Sequence, residues 1–287
     1  LSVDQEARVA TLTMTVPGAD EPATAADYQK LGAAVWHFQA FRELDDALLD
    51  LRFNHPNIGL VCLHTRGDAE KVKKADETLL ALADKSWFAK EVLLLVKRTL
   101  KRLDLTAKSL FAIAEKGSCF VGSLLELALA SDRTYVYAGD DPARLGLSAL
   151  NFGALPMSTG NSRLVTRFLG EPARVEELER AWKSGEGTFE GEEAQEAGLA
   201  TFAPDEIDWE DEVRIAIEER ASLSPDALTG MEANLRFCGP ETLETKIFAR
   251  LSAWQNWIFQ RPSAVGERGA LTMYGRPERP EFDWRRT

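Results

Sequence analysis

Ser109-Leu-Phe-Ala-Ile-Ala-Glu-Lys-Gly-Ser-Cys-Phe-Val-Gly-Ser-Leu-Leu-Glu-Leu-Ala-Leu-Ala-Ser-Asp132 is the stretch that decides how this chain folds. Its opening apolar run is typical of a buried strand, its glycines predict a turn, and its leucines and alanines predict a helix over 122–131. Glu126 is the acid inside that helix. Backbone N–H groups at a helix start stabilise developing negative charge, and an acid one turn further in can move a proton beside it. The combination therefore indicates a reaction site.

Strand patterns and helix patterns alternate on both sides of this stretch. The predicted strands cover 8–16, 57–65, 107–115 and 133–138, and the predicted helices cover 20–54, 68–106 and 159–169. A repeated strand-then-helix order predicts an α/β fold with parallel strands. We expect an α/β core over residues 1–203 and a C-terminal helical region and tail over residues 204–287.

The C-terminal region contains a predicted helix over 241–260 with one apolar stripe. The helix ends before Arg261-Pro262, since a residue that precedes proline disfavours the helical conformation. The stripe consists of Leu243, Ile247, Leu251, Trp254 and Ile258. Such a stripe predicts packing against the core or against a neighbouring subunit.

Composition restricts the class of protein. The chain has 287 residues, 45% of them apolar, which is enough for a large buried core. A net charge of −12 argues against general binding of nucleic acid or of an anionic membrane. Cys62, Cys119 and Cys238 are scattered among apolar residues, which argues against disulfides and favours the cytoplasm. The sequence shows neither a signal peptide nor an apolar run long enough to span a bilayer.

No metal site is expected, because His37, His55 and His64 lack metal-ligand spacing. The chain begins at Leu1 without an initiator methionine. We therefore expect that it could be a piece of a longer protein.

Four motifs follow one another in a fixed order along the chain. They are Gly117-Ser-Cys-Phe-Val-Gly-Ser-Leu-Leu-Glu-Leu127 with Asp132, Pro156-Met-Ser-Thr-Gly-Asn-Ser-Arg-Leu164, Glu192-Glu-Ala-Gln-Glu-Ala-Gly-Leu199 and Gly266-Glu-Arg-Gly-Ala270. In order and spacing they resemble motifs of the crotonase (enoyl-CoA hydratase/isomerase) superfamily. The resemblance covers nearly the whole chain and implies a crotonase-like spiral of ββα units around a thioester site.

Three further segments resemble one branch of that superfamily. Gly117-Ser-Cys-Phe120, Asn151-Phe-Gly153 and Leu251-Ser-Ala-Trp-Gln-Asn-Trp257 are similar to the C-terminal half of the lyases that open the ring of 2,3-epoxybenzoyl-CoA. The resemblance implies an acyclic semialdehyde thioester and formate as products, and no cofactor besides the coenzyme A of the substrate. It also implies a homo-oligomer, with an N-terminal crotonase-like half in the same parent chain as a further expected partner.

The resemblance also implies roles for particular residues. Glu126 matches a catalytic glutamate, and the backbone N–H of Ser123 matches one donor of the oxyanion hole. The second donor is the N–H of Ala75, since Lys73-Lys-Ala-Asp76 lies where the superfamily has Ala-Gly-Ala-Asp. Lys73 and Cys119 are candidates for substrate binding. The alternative for Lys73 is a solvated helix face, and the alternative for Cys119 is simple packing.

Two observations keep a second function open. Ala149 stands where hydratases have their second glutamate, and alanine cannot transfer a proton. Glu126 could equally be a glutamate that only favours the helix dipole. One hypothesis is therefore a lyase in which Glu126 is catalytic; the other is a non-catalytic half that serves folding and subunit contacts. Arg163 either binds phosphate or ties its helix to neighbouring loops.

Overall fold

The computed structural model of the chain describes residues 1–237 and 239–285. Its strands are β1 (Ser2–Asp4), β2 (Val9–Thr15), β3 (Leu60–Arg66), β4 (Ser109–Ala114), β5 (Phe120–Val121), β6 (Arg133–Val136), β7 (Arg144–Gly146) and β8 (Thr188–Glu190). Its α-helices are α1 (Ala25–Leu31), α2 (Trp36–Phe53), α3 (Ala69–Ala83), α4 (Trp87–Asp104), α5 (Leu125–Leu129), α6 (Arg163–Arg167), α7 (Pro172–Lys183), α8 (Gly191–Glu196), α9 (Trp209–Ser222), α10 (Pro225–Arg236), α11 (Ser252–Ile258) and α12 (Pro262–Val265).

The central sheet has the strand order β1-β2-β3-β4-β6. All neighbours in it are parallel except β1, which pairs antiparallel with β2 at the edge. Every residue of β4 is buried, as expected for a strand covered on both faces. The predicted strands over 8–16, 57–65, 107–115 and 133–138 are confirmed as β2, β3, β4 and β6, and so is the α/β class.

The two long predicted helices are each divided in the structure. The helix predicted over 20–54 is interrupted after α1 at Gly32, which has φ +54°, a conformation that glycine adopts without strain. The helix predicted over 68–106 stops at Asp84 and restarts where Ser86 caps α4 through the amide of Ala89. The helical spacing of apolar residues continues across both boundaries, so that spacing alone did not reveal the breaks.

A second, three-stranded sheet lies beside the first and has the order β5-β7-β8. Neither β7 nor β8 lies in a predicted strand. Each is only three residues long and is held by its partner: β7 pairs parallel with β5 and antiparallel with β8. Such pairings join residues far apart in sequence, which periodicity cannot detect.

Helix α9 packs on the outer face of the central sheet, where Ala216 lies in an apolar cluster with Leu60, Cys62 and Phe111. The helix predicted over 241–260 consists of a π-helix (Thr245–Leu251) followed by α11. Helix α11 packs closely on α10, since a Cβ built at Gly230 would lie 2.8 Å from Ile258 Cδ1.

The earlier part of the predicted 241–260 stripe is left exposed. Its members Leu243, Ile247 and Leu251 are 68%, 37% and 43% exposed, and the neighbouring Phe248, outside the stripe, is 77% exposed. In the described parts of the chain, no helix combines the length and the apolar character needed to cross a membrane. The boundary at 203/204 stays a prediction.

Candidate active site

Glu126 lies in the interior on α5, with 1% of its surface exposed. Its Oε1 accepts a hydrogen bond from Asn151 Nδ2 at 2.7 Å, and its Oε2 accepts one from Arg163 Nη1 at 2.7 Å. Burial raises the pKa of this carboxyl, while the Arg163 charge and the two hydrogen bonds oppose the rise. Both carboxylate oxygens are therefore held by donors of the protein itself.

Arg163 joins Glu126 to Asp104 across the interior. Its Nε and Nη2 donate to the two oxygens of Asp104 at 3.1 and 2.7 Å, and Nη1 also reaches the Leu155 carbonyl at 3.2 Å. Burial would lower the pKa of the Arg163 guanidinium, but the two facing carboxylates raise it above its usual value. The hypothesis that Arg163 ties its helix to neighbouring segments is confirmed. We call Asp104, Arg163 and Glu126 the buried ion triad.

The Ser123 amide is also committed to a protein group. It donates to Asp76 Oδ2 at 2.8 Å, and Asp76 Oδ1 lies 2.7 Å from Nε2 of the buried His37. The close approach of Asp76 to this backbone depends on Gly122. Gly122 has φ +52°, and a Cβ at this position would collide with Asp76 Oδ2. The carboxylate of Asp76 therefore takes the place at the Ser123 N–H that the sequence analysis gave to a substrate oxygen.

Ala75 lies inside α3, six residues after its first residue, Ala69. An amide in a helix interior donates to the carbonyl four residues earlier, so the Ala75 N–H is used by the helix itself. The expected convergence of the Ala75 and Ser123 amides on one oxygen is therefore not found in this structure. The local reason is that Lys74 stands where the superfamily has glycine, so that helix α3 continues through this segment.

A cavity of about 60 Å³ lies beside Asp76. Its wall also includes Lys73, Ser148 and Ala149, so it adjoins the position of the missing second glutamate. Ligand sites for molecules of drug size usually enclose about 300–1,000 Å³. The cavity is therefore too small for a thioester and its pantetheine arm. Glu126 does not line it.

Lys73 and Cys119 have different surroundings. Lys73 pairs with Glu70 at 2.8 Å and borders both the small cavity and a second cleft of about 360 Å³, which Lys116 and Arg144 also line. Cys119 is fully buried, and burial raises the pKa of its thiol to about 11. The structure thus brings Lys73 to a cleft, while Cys119 packs in the core.

Several polar residues at this site escaped the sequence analysis. These residues are buried: Asp76 and Asn151 bind predicted residues directly, His37 binds through Asp76, and Asp104 binds through Arg163. Their signal in the sequence is weak, because a single polar residue inside a helix pattern resembles any surface position. Among the described residues, no cluster of His, Cys, Asp and Glu could hold a metal ion.

Comparison with solved structures shows how this arrangement is classified. An enoyl-CoA hydratase from Geobacillus kaustophilus superposes with a TM-score of 0.60 at 20% identity, over 86% of this chain and 87% of the hydratase. An enoyl-CoA hydratase/isomerase from Cupriavidus metallidurans gives 0.62 at 18% identity, over 96% and 92%. The chain has the crotonase fold. The fold expected from the four motifs is therefore confirmed.

The sequence of this crotonase-fold chain is similar to that of a larger enzyme. It is 51% identical, over 287 residues and 99% of its length, to a benzoyl-CoA-dihydrodiol lyase from Aromatoleum evansii. The chain spans about half of that relative, since the match covers 51% of the lyase. No family profile matches the chain. The resemblance to this group of lyases is confirmed, and the assignment to a particular half stays a prediction.

Proposed function

We propose that this crotonase-fold chain is one half of a lyase that hydrolytically opens the ring of 2,3-epoxybenzoyl-CoA to a semialdehyde thioester and formate. The 51% identity to a benzoyl-CoA-dihydrodiol lyase supports the proposal, since it extends over 99% of the chain. The substrate's own coenzyme A is the only nucleotide that this reaction requires. The N-terminal crotonase-like half of the same parent would then hold the working acid and base groups.

Within that lyase, we assign this chain to support of the fold and of contacts between crotonase-like units. The observation behind the assignment is the buried ion triad, in which Arg163 and Asn151 occupy both oxygens of Glu126. A general acid or base must come within hydrogen-bond reach of the proton that it transfers. If Glu126 turned toward a substrate, the buried Arg163 would lose one of its two carboxylate partners. Breaking a buried ion pair in this way destabilises the folded protein by several kcal/mol.

The Ser123 amide supports the same assignment. An oxyanion hole stabilises a transition state because its donors are free and fixed before the charge develops. Here the Ser123 N–H already binds the charged oxygen of Asp76 at 2.8 Å, with His37 behind it. A substrate carbonyl would have to displace a carboxylate, which is a stronger acceptor.

An exposed apolar surface supports a role in contacts. Its members lie on the π-helix, shortly before it, or at the end of α11, and we call them the C-terminal apolar surface: Leu243, Ile247, Phe248, Leu251 and Phe259. Clusters of exposed apolar side chains mark interaction sites in soluble proteins. We propose that this surface contacts another crotonase-like unit, from a second copy or from the other half of the parent.

Turnover of 2,3-epoxybenzoyl-CoA by the isolated chain tests the assignment, with formate as the measured product. We expect no formate above the rate without protein. Formate release that is lost in Glu126→Gln and kept in the exposed control Glu192→Gln would contradict a supporting role and make Glu126 catalytic.

The parent lyase that contains this half provides the second test. We expect it to release formate, and we expect E126Q to keep kcat within about threefold once the folded fraction is corrected for. The same variant should lose about 3 kcal/mol in free energy of unfolding, because it weakens a buried charged pair. A fall in kcat of about a hundredfold with unchanged stability would contradict this. No formate release from the intact parent would contradict the lyase itself.

A further inference from the structure

A third cavity, of about 220 Å³ and distinct from the two beside Lys73, lies between the core and α10, on the Arg163 side of the buried ion triad. Its charged lining consists of Asp104, Asp132, Arg163, Arg167 and Arg236. The rest is largely apolar and includes Leu129, Met157 and Leu235. Neither the proposed lyase reaction nor the resemblance assigns a role to this cavity.

The aspartates in the cavity wall are already engaged by other arginines. Asp104 binds Arg163 through both oxygens. Asp132 accepts from the Leu110 amide at 2.7 Å and lies 3.6 Å from Arg236 Nη2. Arg167 is different. Among the described residues its side chain makes one hydrogen bond, from Nε to the Gly198 carbonyl at 2.5 Å.

Arg167 therefore brings a positive charge without a counter-charge to the cavity. Burial lowers the pKa of its guanidinium, and no carboxylate contributes to that pKa. Its Nη1 and Nη2 make no hydrogen bond within the described parts of the chain, so they are the free donors of the guanidinium. The Arg167 side chain is partly buried, and an anion bound beside it would supply the ionic partner that it lacks among the described residues.

Two neighbouring groups add unused donors. The Thr166 hydroxyl is buried and has no partner among the described residues. The same holds for Nε of Arg236, a residue that is 7% exposed and lines the same cavity. Thr166, Arg167 and Arg236 therefore bring to the cavity wall donors that have no acceptor among the described residues.

The charges in the lining indicate the type of anion. Arg163 and Arg236 each have two carboxylate partners, whereas Arg167 has none among the described residues, so its single charge is left to be balanced. One surplus charge suits a monoanion better than a dianion, and a planar guanidinium matches a carboxylate with two parallel hydrogen bonds. Leu129, Met157 and Leu235 would cover an apolar body attached to that carboxylate.

From this geometry we infer that the cavity between the core and α10 is a binding site for a small monocarboxylate with an apolar body. Arg167 binds the carboxylate, and the Thr166 hydroxyl donates to it. The apolar part lies against Leu129, Met157 and Leu235. This site is separate from Glu126 and Ser123, so the inference does not depend on the proposed lyase activity.

Calorimetric titration of the chain with pentanoate tests this site, and pentanamide provides a neutral ligand of the same shape. We expect pentanoate to bind and to raise the melting temperature, and pentanamide and sulfate to bind at least about tenfold more weakly. Arg167→Gln should weaken pentanoate binding at least about tenfold. Arg167→Lys, which keeps the charge, should retain part of it, and the exposed Arg180→Gln should match the wild type.

Leu235→Trp provides a variant that leaves the charges intact. Leu235 is half exposed and lies in the wall of the cavity, so a larger side chain should obstruct it and abolish binding while circular dichroism stays unchanged. The site is refuted if the wild type does not bind pentanoate, or if R167Q or L235W binds it as tightly as the wild type. The assignment to a monocarboxylate is refuted if pentanamide or sulfate binds as tightly as pentanoate.

Discussion

Asp76 and Glu126 are two buried carboxylates for which the protein supplies its own donors. Glu126 is held by Arg163 and Asn151, and Asp76 is held by His37 and the Ser123 amide. In both places the groups that a crotonase-like enzyme would offer to a substrate are bound to other groups of the chain. Gly122 makes the second arrangement possible, because it lets the backbone approach Asp76 closely.

Substitution of Gly122 by alanine tests that close approach. The new methyl group would collide with Asp76 Oδ2 and also sit at a positive φ, so we expect a loss of about 2–3 kcal/mol in free energy of unfolding. Gly117→Ala is the matched control, because Gly117 also has a positive φ but a Cβ there meets nothing within 4 Å. Urea unfolding should show about 1 kcal/mol for the control. Equal losses would mean that strain alone explains the effect.

Helices α9 and α10 are joined to the core through charged groups as well as through apolar packing. Glu232 of α10 accepts from the Ser109 hydroxyl at 2.5 Å and pairs with Arg236 at 3.0 Å. Arg220 of α9 faces the Glu232 carboxyl, with its Nη1 3.6 Å from Glu232 Oε1. Asp132 is a second acidic neighbour of that carboxyl. Burial raises the pKa of Glu232 to about 8, and the neighbouring Asp132 adds to the rise.

This raised pKa predicts how stability depends on pH. The folded state holds a proton that the unfolded state releases, so the contribution of Glu232 is fully present below its ordinary pKa of 4.5 and is lost as pH rises through about 8. We expect the free energy of unfolding of the wild type to fall relative to Glu232→Gln across this window, by up to about 4 kcal/mol. Urea unfolding at several pH values measures the difference.

The exposed Glu210→Gln on α9 is the control for this pH dependence. It should follow the wild type at every pH, because Glu210 is exposed to solvent. A constant difference between wild type and E232Q from about pH 5 to pH 8 would mean that Glu232 does not titrate in this window.

The described molecule leaves apolar side chains in water at its C-terminal end. Phe248 is 77% exposed within the C-terminal apolar surface, whereas Trp254 and Ile258 of the predicted stripe pack against α10. The sequence analysis allowed packing on the core or on a neighbouring subunit. The latter part of the stripe packs on α10, a helix of the C-terminal region and not of the core, and the proposed contact between crotonase-like units would account for the exposed part.

Light scattering can test that contact for the isolated chain. We expect a mass above the 31.8 kDa of one chain, and a return to that mass for Phe248→Glu, since a charge in a buried contact is costly. Tyr274→Glu is the control, because Tyr274 is also highly exposed but lies outside the C-terminal apolar surface. A wild type that stays at the mass of one chain would contradict self-association.

Local patterns were enough to predict the central parallel strands, the burial of β4 and the position of Glu126 on a short helix, and the order of the motifs predicted the fold. Alternation of apolar and polar residues is a property of neighbours along the chain, so such features can be read directly from the sequence. Folding in three dimensions alone determined the partners of the site residues. Arg163 lies 37 residues from Glu126 and 59 from Asp104, and Asp76 lies 47 residues from Ser123. Which donor occupies a buried carboxylate depends on distances across the core, and no spacing along the chain encodes them.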